Sequence, residues 1–338
     1  MPVMKKKSSL LAILLLAAFF VNAQDPHFSQ FFASPLTLNP ALTGKFDGTV
    51  RIAGNYRNQW PAFNNVYTTS TLSVDFDVLK SKIPDFDTWG VGILALTDRA
   101  GGGVLTNNYI GLSTSYHKAL DEDGFQQLGI GFQGTYGQKR LDNSKLYFED
   151  QLTPFGFTGV TQDIFNTQNL NINYFDVNAG LLYSGSTADD NNFYVGASMY
   201  HINRPKESFK GGNWNIATRT TISAGGYFTV SDILTLHTSG IYQYQNKASE
   251  TTIGGALAAV IDDKSTDPSN VYIGSWYRFN DAIIPYVGLE FAGFRIGASY
   301  DVNISSLKAG SQSRGGMEIS VIYIKRPVGF KGIPCPKF

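Results

Sequence analysis

Catalytic chemistry has few candidates in this chain, whose histidines are His27, His117, His201 and His237. None belongs to an HExxH zinc motif. None has a serine and an acid at a spacing that suggests a triad, although such groups can also meet across neighbouring strands. His117 and His201 fall near the ends of alternating segments, where an interfacial polar side chain is ordinary. The Gly101-Gly102-Gly103 run reads as a loop, and no Walker or dinucleotide fingerprint is present. Cys335 is the single cysteine, so it cannot form an internal disulfide. With no CxxC or histidine cluster around it, it reads as an inert tail residue. The expectation is a non-enzyme with no catalytic, cofactor-binding or metal residues.

The charged residues carry more information, because they recur in a single phase. Arg51, Arg57, Asp75, Asp176, Arg219, Arg278, Glu290, Arg295, Asp301 and Glu318 all fall on the more polar face of segments that alternate with period two. Such a face can form a selectivity ring for a solute, or its charges can pair and fill an interior. Five arginines balance five acids among these ten, which favours pairing.

The elements that position them are strands. In the first segment Val50, Ile52, Gly54 and Tyr56 oppose Arg51, Ala53, Asn55 and Arg57; in the second, Leu72, Val74 and Phe76 oppose Thr71, Ser73 and Asp75. Similar runs fall at 89–97, 108–116, 128–136, 175–183, 193–201, 218–228, 234–242, 253–261, 271–279, 283–291, 294–300 and 317–323. That makes roughly fourteen, and an even number suits a closed antiparallel bacterial barrel. The longest match the ~9–11 residues of a tilted membrane strand. A soluble sandwich would alternate as well, with its polar face in water.

Composition and the amino terminus decide between the two. Lys5, Lys6 and Lys7 precede an apolar run from Leu10 to Val21, and Val21-Asn22-Ala23 suits signal peptidase, which reads as a secretory signal over residues 1–23. The chain is 43% hydrophobic and 14% aromatic but only 16% charged. Soluble domains carry about a quarter charged residues. No later stretch approaches an apolar membrane helix of ~20 residues. The reading is an all-β protein: a transmembrane antiparallel β-barrel over 48–325, integral in the outer membrane of a Gram-negative bacterium. A net charge of zero, with no basic tract after the signal, excludes nucleic acid as a partner class and leaves the lipid bilayer.

Loop lengths give orientation. Links at 230–232 and 292–293 are short, whereas 139–173, 203–213 and 302–315 are long and fall on the other side. Short periplasmic turns and long outer loops then put the N- and C-termini in the periplasm. Residues 24–47 hold three prolines with Phe28, Phe31 and Phe32, and must pack either into the lumen or against a partner. Residues 326–338 read as a short periplasmic tail.

The amino-terminal Gln24-Asp25-Pro26-His27-Phe28-Ser29-Gln30-Phe31, then Asn39-Pro40-Ala41, resembles the opening of the PorP/SprF family of type IX secretion system membrane proteins. The likeness continues through Asn55-Tyr56-Arg57-Asn58-Gln59-Trp60-Pro61, Asp98-Arg99-Ala100-Gly101, 175–183, His201-Ile202-Asn203-Arg204-Pro205, Ser299-Tyr300-Asp301 and Cys335-Pro336-Lys337. Met317-Glu318-Ile319 departs from the His-Glu-Ile expected there, which puts one lumen contact in doubt. The resemblance implies an accessory outer-membrane component that docks or anchors large exported proteins such as gliding adhesins. Its implied partners are envelope components of the same system and the exported cargo. His27, Phe28, Gln30, Phe31, Phe32, Asn39 and Pro40 are the candidate partner-binding or plug residues. A solute channel and a hydrolase active at the barrel rim are the alternatives.

Overall fold

The computed structural model describes residues 25–326, except 64–65, 81, 159–160, 163–169, 189–190, 210–211 and 263–268. The signal segment 1–23 and the tail beyond Arg326, with Cys335, lie outside the described residues.

Among the described residues sixteen strands occur in chain order: β1 Val50–Gln59, β2 Tyr67–Val78, β3 Thr88–Ala100, β4 Leu105–Ala119, β5 Gln126–Leu141, β6 Leu152–Thr153, β7 Gly156–Phe157, β8 Asn171–Ala188, β9 Asn191–Tyr200, β10 Arg219–Ser231, β11 Leu234–Gln245, β12 Ala248–Asp262, β13 Ser269–Arg278, β14 Ala282–Phe291, β15 Phe294–Asn303 and β16 Arg314–Lys325. All but β6 and β7 form one closed antiparallel barrel of fourteen strands. The seam joins β1 to β16 from Val50↔Lys325 to Gln59↔Gly316. β5 pairs directly with β8, and β6 and β7 make a small hairpin in the connection between them.

Every alternating run of the sequence becomes a wall strand. Several are longer than the pattern indicates, β5 and β8 most of all, so the expected connection 139–173 shrinks to 142–170. Alternation marks only the part of a strand with lipid on one side; beyond that band both faces can be polar while pairing continues.

The phase follows from the same constraint. Leu72, Leu112 and Ile273 are 55%, 65% and 66% exposed on the outer face, whereas Ser73 and Asp75 beside Leu72 are buried inside. Outward aromatics ring both ends of the wall. Tyr56, Tyr136, Phe175, Tyr242 and Tyr300 lie toward one end; Phe76, Trp89, Phe228, Phe291 and Phe294 lie toward the other. An apolar band between aromatic girdles is the outside of a membrane barrel. Among the described residues no helix is long and apolar enough to cross a membrane.

Two ends can be told apart. At the end where β1 begins and β16 finishes, the links include 232–233 and 292–293. Ala292 and Gly293 both take positive φ, 48° and 79°, the backbone of a tight hairpin turn whose twist suits the flanking strands. The opposite end carries 142–170, 201–218 and 304–313.

Residues 25–49 fill the interior. Asp25 sits at the long-loop end, against the last residue of β11 and the first of β10. Asp47 and Thr49 sit at the other end, against Arg326 and Lys325. The wall's own ends therefore lie together, while the segment before β1 crosses the whole lumen and places Asp25 opposite the end of β16. The expected periplasmic placement of both termini falls on residues 24 and 338, which lie outside the described residues.

Candidate functional site

The lumen segment is three short helical turns, Phe31–Ala33, Pro35–Leu38 and Pro40–Leu42. Pro35 and Pro40 each open a turn, where the missing N–H would have had no partner anyway. Asn39 caps the third, its side chain accepting from the amide of Ala41 at 2.9 Å. Its Nδ2 donates to the Leu181 carbonyl at 3.0 Å, tying the turn to β8. Pro40 and Ala41 lie on Gly131 of β5, where a side chain would collide with their backbone, and Asn39 likewise covers Gly180 of β8. Those glycines are the floor on which the segment rests.

At the long-loop end Asp25 contacts His201 Nε2 at 2.7 Å and Arg219 Nη1 at 3.5 Å, and accepts from Gln245 at 3.0 Å. His201 reaches Asp176 at 3.0 Å through its other nitrogen. Burial alone would raise the Asp25 pKa, but His201 and Arg219 outweigh it and hold the carboxyl well below the usual range. Two residues on, His27 meets Glu250 at 2.9 Å. Arg278 joins Glu250 to Asp301 at 3.6 and 2.9 Å, and Arg57 meets Asp301 at 3.0 Å.

In the middle, Glu318 stands opposite Arg57 in the register of β1 and β16; it accepts the amides of Ser29 and Gln30 at 2.7 and 2.9 Å and Asn55 Nδ2 at 2.9 Å. A carboxylate so placed makes charge-assisted bonds to main chain. Gln30 donates to Ser299 and to the Glu318 carbonyl, both at 3.0 Å, and accepts from Ser320 at 2.7 Å. Phe28 and Phe31 are buried, and Phe32 stacks on Trp276 at 4.8 Å with Tyr286 edge-on at 5.5 Å. Toward the other end Arg51 holds Asp75 in a forked pair at 3.0 and 2.7 Å, and Asp75 accepts the amide of Gly44 at 2.7 Å. Arg295 pairs with Glu290 at 3.0 Å over the ring of Tyr272.

All ten charges read from the pattern thus face the lumen. The seven segment residues singled out lie there too, covered by the chain's own wall. His117 and His201 do lie at strand ends, but both side chains are buried toward the lumen and not on the outer face. Met317 is 43% exposed on the outer face, so the expected histidine there would not have been a lumen contact. Asp25, Lys45 and Glu250 were not singled out, although each is part of the network. Glu250 precedes the alternating run that marks β12, and Asp25 and Lys45 stand in a segment without period.

Chemically the site holds and fills. Ser29 Oγ donates to Asp301 at 2.7 Å and accepts from Arg278 at 2.6 Å, while His27 is engaged by Glu250. Serine and histidine here have separate partners and do not form a nucleophile and its base.

A family model described as type IX secretion system membrane protein PorP/SprF matches residues 20–323. The chain belongs to the PorP/SprF family. With its closed barrel, that makes it an integral outer-membrane component of type IX secretion. Comparison of this PorP/SprF protein with the curated proteins found no match. Among solved structures it is similar to the Ralstonia pickettii toluene transporter TbuX, with TM-score 0.47 and 10% identity over 87% of this chain and 93% of that one. It is also similar to the CymD monoaromatic hydrocarbon channel (TM-score 0.45, 10% identity, 87% and 93% covered). A third similarity is to BamA from Haemophilus ducreyi lacking POTRA domains 1–3 (TM-score 0.42, 11% identity, 82% and 70% covered). These likenesses go no further than the general form of a barrel.

Proposed function

We propose that this PorP/SprF protein is an accessory docking or anchoring barrel, without enzymatic activity, that offers its long-loop end to a large exported protein such as an adhesin. The long loops then lie outside the cell and the short turns in the periplasm, facing envelope partners. The observation that carries this reading is the aromatic surface of the long connections. Tyr147, Phe155 and Trp214 are 77%, 101% and 75% exposed there, outside the strands. Lipid explains exposed apolar side chains on the wall but not on these connections, and exposed aromatic groups outside the bilayer mark contact surfaces for other proteins. The occupied lumen weighs against a solute channel, and the separate partners of Ser29 and His27 weigh against a hydrolase.

Replacing Tyr147, Phe155 and Phe157 together with serine leaves the wall untouched. The variant should reach the outer membrane at the wild-type level and stay heat-modifiable on gels, yet lose co-purification and surface display of its cargo. Undiminished display on intact cells would remove these loops from the docking role.

A further inference from the structure

Sealing a barrel requires bulk, but it does not require the seal's main chain to be recognised. Here the wall grips the main chain at a series of points along the lumen. Arg57 donates to the carbonyl of His27 at 2.9 Å, and Glu318 accepts the amides of Ser29 and Gln30. Arg219 donates to the carbonyl of Thr37 at 3.0 Å and Ser198 to that of Leu38 at 2.7 Å. Arg51 donates to the carbonyl of Leu42 at 2.8 Å, and Asp75 accepts the amide of Gly44. Every polypeptide carries the same main-chain donors and acceptors. Groups that read them can hold a chain whatever its sequence, while the bonds to the Ser29, Gln30 and Asn39 side chains favour the resident one.

Charge narrows the class of chain. Residues 28–44 carry no charged side chain. The wall charges facing them are largely neutralised within the wall, Arg57 by Asp301 and Arg51 by Asp75, while Glu318 is met by amide N–H groups. A neutral lumen with a glycine floor at Gly131 and Gly180 suits a segment of small, apolar and uncharged residues. A charged side chain there would lose its water without gaining a partner.

We propose that the lumen is a binding channel for one uncharged polypeptide segment, which residues 28–44 occupy by default and which a segment of an exported protein can occupy in their place. The channel is separate from the outer loops, so its failure would leave docking at the loops standing.

The test uses the full chain with a protease site inserted after Gly48, purified in detergent and cut only after folding. The probes are a fluorescein-labelled synthetic peptide of residues 28–44 and an unlabelled peptide of the same composition in shuffled order. The cut segment should exchange with the labelled peptide while the barrel stays heat-modifiable. The shuffled peptide should still compete, more weakly because it keeps the main-chain bonds but loses those of the Ser29, Gln30 and Asn39 side chains, and Glu318→Gln should weaken both by about tenfold or more. A segment that never exchanges, or yields only to its own sequence, overturns the proposal and leaves a permanent plug. Collapse of the barrel on cutting overturns it as well, because the segment would then be a fixed part of the fold. Equal binding by the Glu318→Gln variant would remove the main-chain contacts from the explanation.

Discussion

Asp75→Ala is expected to destabilise the folded barrel by about 3–5 kcal/mol, the cost of leaving a buried charge without its partner. Arg51 and Asp75 are both buried, and they form a forked pair near the end where the chain enters the wall. Removing the carboxylate also strips the acceptor from the Gly44 amide and loosens the last turn of the lumen segment. The pair itself need not add much net stability, since desolvation offsets most of its attraction. The double variant Arg51→Met with Asp75→Leu should therefore recover much of the loss. Urea unfolding in lipid vesicles measures both. A loss from Asp75→Ala below about 1 kcal/mol, the range of an exposed pair, would mean that water reaches Arg51.

Leu72→Arg should cost about 2–4 kcal/mol, the penalty for a charge at the bilayer midplane. Leu72 projects from the middle of β2 between Gly54 and Ala95, and it is more than half exposed to what surrounds the barrel. Thr68 is on the same face, closer to the long-loop end. Thr68→Arg should cost only about 0–1 kcal/mol, because the penalty fades toward the interface. Refolding yield into vesicles separates the two variants. Equal yields would mean that this face of β2 does not meet lipid.

The wall was readable from the sequence because lipid on one side and a packed lumen on the other force a two-residue period onto each strand. Arg51 against Ile52, and Asp75 against Leu72 and Val74, report that boundary residue by residue. Strand lengths were less readable, since Lys139 pairs with Ile172, and Asn173 with Gln138, beyond the alternating run. The lumen segment was readable only in part. Its phenylalanines show that it must be covered, but nothing in Gln24 to Asp47 indicates that it runs the length of the barrel. Direction is set by tertiary contacts, with His201 and Gln245 at one end and Arg326 at the other. The glycines under Asn39 and Ala41 fall in phase with the inner face like any small residue, so the segment they receive could not be inferred from them.

The most direct test of a lumen filled by its own amino-terminal segment is electrical. The purified full-length protein, inserted into a planar lipid bilayer, should show no steady ion conductance, because residues 25–49 occupy the interior from Asp25 beside His201 to Asp47 beside Arg326. Insertion has to be verified independently, by protease digestion of the same membranes. Stable, uniform conductance steps from the unmodified chain, of the size an open barrel gives, would contradict the filled lumen and return the protein to the class of open channels.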